Sequence, residues 1–440
     1  MYPIKKKLQV SNANKSPNYL PVRQLDPEFS WAAVTGLVLE SALQQGLRDF
    51  SIDTFRDECR DEFKQLLNDP NVWEWLEHMY FSSNAVLQVS PLFLLFKAQK
   101  AAPGDDEDGG ARVNQRMGDM FFGLLGDFRL DDKPNDKVHF LEQVMLDVLV
   151  RHLHPLAGER RQQDHPYLPF LAEAFQRDMR FLAGHPQYLM AELTNTLKLY
   201  AFSYCSQLSL AVHHWRSGVP QPQELYFILD IEKASSERDK VRDYGHRALT
   251  LTAKQLFPML SAAEVLQSEG EQRPLWQIYA DMQAYPDQQA LIDELNDYNG
   301  DFAAHRNLET PTLAKTLEEA FKQFLALAMR QFDPTKSDRF TVKNRYFSQL
   351  EKKIFADFIQ FRGRAGNVLA LSQDQVLLLT NLAIGHQDRL RFFELLRAFE
   401  QRGFFFDNQS QQVLIEFFER MGNVERMSDS GEAVYVRKTV

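Results

Sequence analysis

Cysteine is nearly absent from the 440 residues: Cys59 and Cys205 stand alone, so neither a disulfide framework nor a paired-cysteine zinc ribbon is available, and a reducing compartment suits the chain. No stretch approaches the roughly 18 unbroken apolar residues of a membrane helix, and the lysines at positions 5–7 are not followed by the apolar core of a secretion signal. The chain is expected to stay in the cytoplasm, without a membrane partner. Glycine-rich phosphate loops, G-x-S-x-G elbows and H-E-x-x-H helices are missing, which removes P-loop ATPase, serine hydrolase and zincin readings. No cofactor and no small-molecule substrate is implied. Positive charge is in deficit too, with a net charge of −10, which opposes a protein that coats nucleic acid over its whole surface.

What the chain does hold suits packed helices. Phenylalanine is abundant at 34 residues, apolar residues make up 44% and charged residues 25%, and the 20 glycines and 19 prolines are modest. The expected fold class is mainly α: a multi-helix scaffold with a C-terminal winged helix-turn-helix module. Residues 1–28, with four prolines and little periodicity, read as an extended arm laid on the surface. Residues 29–216 read as an N-terminal helical domain in which Trp73, Trp75, Tyr80 and Phe81 are core. The acidic run at 103–110 lacks the ligand pattern of a calcium loop, because Arg116 stands where the closing glutamate would be, and reads as a mobile loop. Gly218, Pro220 and Pro222 mark a break at 217–224. A middle helical domain over 225–332 then opens on one buried strand at 225–230. It continues in helices at 255–266, 275–284, 288–298 and 313–332, with a break at 300–311. Residues 335–440 combine a basic segment with the terminal module.

That module carries the most specific order of elements. Ser372 and Gln375 have capping-box spacing before an apolar run that Gly385 stops. Asp388 is an N-cap for a second helix ending at Gly403. A third helix spans about 410–421, with Val413, Leu414, Phe417, Phe418 and Met421 inward. Strands at 424–427 and 433–437 flank a turn at 428–431. The third helix and wing would present Gln411, Gln412, Glu416, Glu419, Arg420, Arg426, Arg437 and Lys438. From Leu371 onward eight cations face ten carboxylates, so a third helix carrying Glu416 and Glu419 is poorly suited to a groove between phosphates. This module is expected to contact protein in preference to bases.

The segment 335–364 is the reverse. Lys336, Arg339, Lys343, Arg345, Lys352, Lys353, Arg362 and Arg364 oppose only Asp338, Glu351 and Asp357, while the rest of the chain carries −15. Phe340, Tyr346, Phe347, Phe355, Phe358 and Phe361 are interleaved, a pairing of cation and π-surface that suits a sugar-phosphate backbone. The alternative is a helix with its phenylalanines inward and its lysines in water.

Candidate metal chemistry is thin. His152, His154, Asp164 and His165 supply the right donor types for a metal-dependent nuclease, but two histidines two apart at a helix end diverge, and Arg151, Arg160 and Arg161 would repel a cation. The adjacent His213 and His214 point about 100° apart on a helix. Asp230, Glu232 and Lys233 evoke the acid and lysine set of restriction-type nucleases, yet Glu232 and Lys233 are neighbours and would face opposite sides of a strand. Asp243 and His246 are close enough to meet on one helix face, within a run of balanced charges that reads as a salt-bridge surface.

Four stretches, YLPVR from Tyr19, VSPLFLLFKAQ from Val89, YFILDIEKASSERDKVRDYGHR from Tyr226 and SDSGEAVYV from Ser428, resemble the DptG (DndG) family of bacterial phosphorothioation-dependent DNA restriction. The resemblance spans nearly the whole chain. It implies a cytoplasmic subunit of a defence complex, acting with two other restriction subunits, one of them a translocase-type ATPase, against DNA lacking the phosphorothioate mark. It supplies no catalytic residues. The absent catalytic motifs, the segregated charge and the terminal module make the expected subunit a non-catalytic one. A metal-dependent nuclease subunit and a winged-helix transcription regulator are the alternative expectations.

Overall fold

The computed structural model describes residues 2–11, 13–14, 17–67, 71–82, 85–98, 110–130, 138–156, 166–233, 237–268, 272–333, 337–427 and 433–440. The acidic run at 103–109 and the turn at 428–431 lie outside them. The described chain is mainly helical, with sixteen α-helices and nine short strands, and it divides into two compact units. Among the described residues no helix is long and apolar enough to cross a membrane.

The smaller unit comprises residues 27–159 and 175–197. It holds α1 (Trp31–Leu43), β1 (Gln45–Leu47), α2 (Ile52–Leu66), α3 (Asn71–Tyr80), α4 (Gly110–Leu125), α5 (Phe140–Arg151) and β2 (Leu153–Pro155). Ser30 and Ser51 start α1 and α2 by accepting from Ala33 N–H and Thr54 N–H. Phe55, Cys59 and Phe63 line the inward stripe of α2 and join Trp73, Phe93 and Leu149 in one core cluster. Trp73 and Tyr80 are core as expected; Phe81 is half-buried against it, and Trp75, two positions from Trp73 on α3, points outward instead. Strands β1 and β2 pair antiparallel, Gly46 opposite His154.

Helices α6 (Pro169–Ala183) and α7 (Pro186–Ala211) contribute residues to both units. The larger unit otherwise comprises residues 1–26, 160–174 and 198–439. Its N-terminal arm is not a surface layer. Ile4, Leu8, Leu20 and Val22 are core residues, and the backbone is fixed by Lys5 N–H to Leu266 O (3.2 Å) and Arg273 Nη2 to Pro3 O (2.7 Å). The arm fills space that the helices alone would leave open.

After β3 (Tyr226–Leu229) come α8 (Asp239–Asp243), α9 (His246–Leu266), α10 (Leu275–Ala284), α11 (Gln288–Arg306), α12 (Leu317–Arg330) and α13 (Asp338–Leu350). Helix α9 starts nine residues earlier than its periodicity suggests and contains Pro258, while α11 runs through Gly300 to Arg306 and stops at Asn307 in the left-handed conformation. The break expected at 300–311 therefore lies at 307–316, and α12 starts at Leu317, later than the expected 313. A π-helical turn over Glu351–Phe355 ends α13.

Strands β4 (Ile359–Phe361), β5 (Asn367–Leu371) and β7 (Phe405–Phe406) complete a sheet of order β4-β5-β3-β7. Here β3 pairs parallel with β5, Ile228 opposite Ala370, and parallel with β7, Tyr226 opposite Phe405. The strand expected to stand alone is the centre of a sheet. Every residue of β3 is buried, as a strand covered on both faces requires.

The remaining elements are α14 (Gln373–Ile384), β6 (Arg389–Arg391), α15 (Phe392–Glu400), α16 (Asn408–Arg420), β8 (Val424–Met427) and β9 (Ala433–Arg437). The capping box forms: Ser372 Oγ accepts from Gln375 N–H (3.2 Å) and Gln375 Oε1 from Ser372 N–H (2.8 Å). Helix α15 begins at Phe392, not at Asp388, because Arg389–Arg391 is taken into a three-stranded antiparallel sheet of order β6-β9-β8. Gly403 ends that segment at φ +84°, where an added Cβ would meet the Gln207 side chain at 2.8 Å.

Candidate nucleic-acid interface

The basic segment folds as α13, the π turn and the β4–β5 hairpin, and three of its six aromatic residues are buried away from its cations. Tyr346 is buried and stacks on Phe257 at 3.9 Å and 12°; Phe355 and Phe358 are buried against Phe202; Phe340 and Phe347 are half-buried. Only Phe361 of the six turns fully outward, at 74% exposure. For Tyr346, Phe355 and Phe358 the inward-aromatic reading holds, while Phe340 and Phe347 lie at the edge beneath Lys343 and Lys254.

The cations fall into two groups. Arg345, Lys352 and Arg364 are exposed, Lys343 lies over the Phe340 ring at 5.3 Å, and none of the four has an ion-pair partner among the described residues. Lys353 and Arg362 are structural instead. Lys353 Nζ donates to Asp26 O (3.0 Å), tying the arm down, and Arg362 Nη2 donates to Asp230 O and Gln360 Oε1. Arg339 is half-buried, and Lys336 lies outside the described residues.

The expected third helix is α16. Leu414, Phe417 and Phe418 are buried as expected; Val413 is only half-buried and Met421 is exposed, so its inward stripe is narrower than its periodicity suggests. Val413, Glu416 and Arg420 instead line an open groove of about 710 Å³, whose far wall is Ile231 and Lys233. Gln411 donates to Phe406 O (2.8 Å) and Gln412 is exposed. The cations of this end are largely spent. Arg426 pairs with Glu419, Arg389 and Arg437 both pair with Glu425, and Lys438 donates to Gly385 O. Arg389 and Arg391 also lie over the ring of Tyr435.

Sequence reading missed the network that positions α16. Glu232 Oε1 accepts from Leu229 N–H (2.7 Å), and its Oε2 accepts from Arg238 Nη1 (2.8 Å) and Ser410 Oγ (3.0 Å). Arg238 Nε donates to Asp407 Oδ2 (2.8 Å), and Asp407 caps α16 by accepting from Ser410 N–H (3.0 Å). Burial alone would lower the Arg238 value, but its bonds to Asp407 and Glu232 raise it. The chain of bonds crosses the carboxyl ends of β3 and β7 and fixes the loop after β3 to the start of α16. No local pattern announces it, since Arg238 and Asp407 are 169 residues apart.

Of the metal candidates His152 and His154, only His152 has side-chain partners among the described residues. His152 stacks on Phe50 at 3.7 Å and its Nε2 lies 2.7 Å from Glu58; His154 is exposed on β2; Asp164 and His165 lie outside the described residues. Among the described residues no group of three or more His, Cys, Asp or Glu side chains is arranged to hold a metal ion. His213 and His214 sit in a 3-10 turn, where burial and then His214 push the His213 value down. Asp243 and His246 do not share a helix, because Gly245 separates α8 from α9. Asp243 pairs with Arg242 (2.8 Å) and Arg247 (3.3 Å), and the Arg242 guanidinium holds its carboxyl below the ordinary value. Compared with known proteins, the chain matches no family model and no curated protein.

Proposed function

We propose that this chain is a non-catalytic subunit of a phosphorothioation-dependent DNA restriction complex, scaffolding a translocase-type ATPase and touching the DNA backbone through α13 and the β4–β5 hairpin. The observation that carries the DNA contact is the set of Lys343, Arg345, Lys352 and Arg364, without acidic partners among the described residues, in a chain of net charge −10. Cations left uncompensated in a net acidic protein are suited to phosphates. The order α14, β6, α15, α16, β8, β9, with its β6-β9-β8 sheet, supports reading the C-terminal end as a winged helix. Its third helix carries exposed carboxylates and its wing arginines are paired with Glu419 and Glu425, which favours a protein-docking role for it over groove insertion. The assembly role itself rests on the family resemblance and on the absence of a catalytic motif from the sequence.

The experiment is DNA binding by the purified chain, followed by fluorescence anisotropy across a salt series, with and without phosphorothioate. A variant carrying K343Q, R345Q, K352Q and R364Q is compared; Lys353 is left in place because it holds Asp26. The expected result is a linear fall of log affinity with log salt whose slope the variant flattens by about 2.8 to 3.6, at roughly 0.7 (single strand) to 0.9 (duplex) for each of the four phosphates it leaves unneutralised. No binding at low salt, or an unchanged slope, overturns the DNA contact.

A further inference from the structure

We propose that Phe361 is a base-stacking residue, so that the DNA taken by this surface is unpaired at the point of contact. The inference rests on the backbone-contact reading above and narrows its substrate from DNA in general to single-stranded or locally opened DNA.

Three observations single out this ring. It is the one aromatic side chain of the basic segment that turns fully to solvent, although Tyr346, Phe355 and Phe358 nearby are all buried. Its backbone is held rigidly. Phe361 pairs opposite Asn367 in the antiparallel β4–β5 ladder, Arg362 N–H donates to Gly366 O (2.8 Å), and the Arg362 side chain anchors the hairpin to Asp230 O. Gly363 at φ +53° and Gly366 at φ +71° permit the tight turn between. Finally, the local charge is positive. Exposed Arg364 is three residues away, and the sequence from Phe358 to Gln373 contains no acidic residue.

Other exposed aromatics lack that setting. Trp75 on α3 has Glu74 and Glu77 beside it, Phe140 on α5 has Glu142, Phe393 on α15 has the Arg397 guanidinium over its ring and is followed by Glu394, and Tyr244 follows Asp243, which already engages Arg242 and Arg247. A polyanion would be repelled from the first two and would find the third occupied. At Phe361 a fixed π-face and flanking guanidinium together match what single-stranded nucleic acid offers, a base face and its phosphate. A fully stacked duplex presents only its backbone to such a ring, and an exposed phenylalanine gains nothing from phosphate.

The test uses an oligonucleotide carrying 2-aminopurine, as a single strand and as a fully paired duplex, with the wild-type chain, F361A, F361W and the four-cation variant. Because Phe361 is exposed, F361A keeps the wild-type circular dichroism and melting profile. The expected result is tighter binding to the single strand than to the duplex, with quenching of 2-aminopurine on the single strand. F361A then lowers single-strand affinity by about 5- to 150-fold, the range of one base–aromatic stack, and F361W retains it. Equal affinity for both DNAs, or unchanged affinity and quenching in F361A, overturns the stacking role. If the four-cation variant still flattens the salt dependence in that case, the backbone contact stands and only the stacking falls. If neither DNA binds at low salt, both readings fall together.

Discussion

Arg238 Nη1 lies 2.8 Å from Glu232 Oε2 with 6% and 1% of the two side chains in contact with water, so a full ion pair is enclosed where the loop after β3 meets α16. Its second carboxylate, Asp407, and the Ser410 hydroxyl complete the set of acceptors and donors around it. Enclosed charges are tolerable only while paired. Replacing Arg238 with Met leaves Glu232 and Asp407 facing each other without a cation and is expected to cost about 3–5 kcal/mol, read as a lowered urea midpoint. A loss below about 1 kcal/mol would mean that water reaches the carboxylates and that the network does not set the position of α16.

The same network predicts a pH response. Burial raises the Asp407 carboxyl, but the hydrogen bonds from Arg238 and Ser410 outweigh burial and hold it below its ordinary value. A carboxyl depressed in the fold contributes stability that is fully present above its unfolded value, near 3.9, and is lost as pH falls through the folded one. The contribution of Asp407 is therefore constant from neutral pH down to about 5, falls progressively below that, and is gone only once pH is below the folded value. In urea unfolding at a series of pH values, D407N should be less stable than the parent at pH 7 and lose less on going to pH 3. Parallel acid limbs for the two proteins would rule Asp407 out as a contributor.

How much of this could be read beforehand follows the range of each interaction. The Ser372–Gln375 box, the strands at Val424–Met427 and Ala433–Arg437 and the buried character of Tyr226–Leu229 are written within a few residues, and all are present. The partners of β3 are not written there. Parallel pairing with β5 and β7 joins segments about 140 and 180 residues downstream, and a two-residue strand such as Phe405–Phe406 has no period to detect. Arg389–Arg391 looks like helix entry because Asp388 is a good cap, yet pairing with β9 takes those residues first. Composition located the basic segment but could not say which cations are spent. Lys353 and Arg362 bind backbone carbonyls of Asp26 and Asp230, contacts made only by the folded chain.

The arm gives a sharp internal comparison. Leu20 is buried and Leu25, five residues on, is 71% exposed, although both lie in the same irregular segment. Leu20→Ala should cost about 2–5 kcal/mol, and Leu25→Ala should stay within about 0.5 kcal/mol of the parent. Urea unfolding of the two variants checks this. Equal small effects would return the arm to the surface.

Charge removal on α16 separates the two ways this chain could meet DNA. Glu416 is exposed, and Glu419 is paired with Arg426, so E416Q with E419Q removes two negative charges and releases one arginine. Stability should change by no more than about 0.5 kcal/mol, because exposed pairs of this kind contribute little. If α16 entered the major groove, taking away two carboxylates facing phosphate would tighten binding about tenfold or more at low salt and steepen the salt dependence. With the contact on α13 and the β4–β5 hairpin, the anisotropy curves of the double variant and the parent should superimpose within about a factor of two at every salt concentration. Tenfold tightening would transfer the DNA contact to α16 and leave Lys343, Arg345, Lys352 and Arg364 as solvated surface.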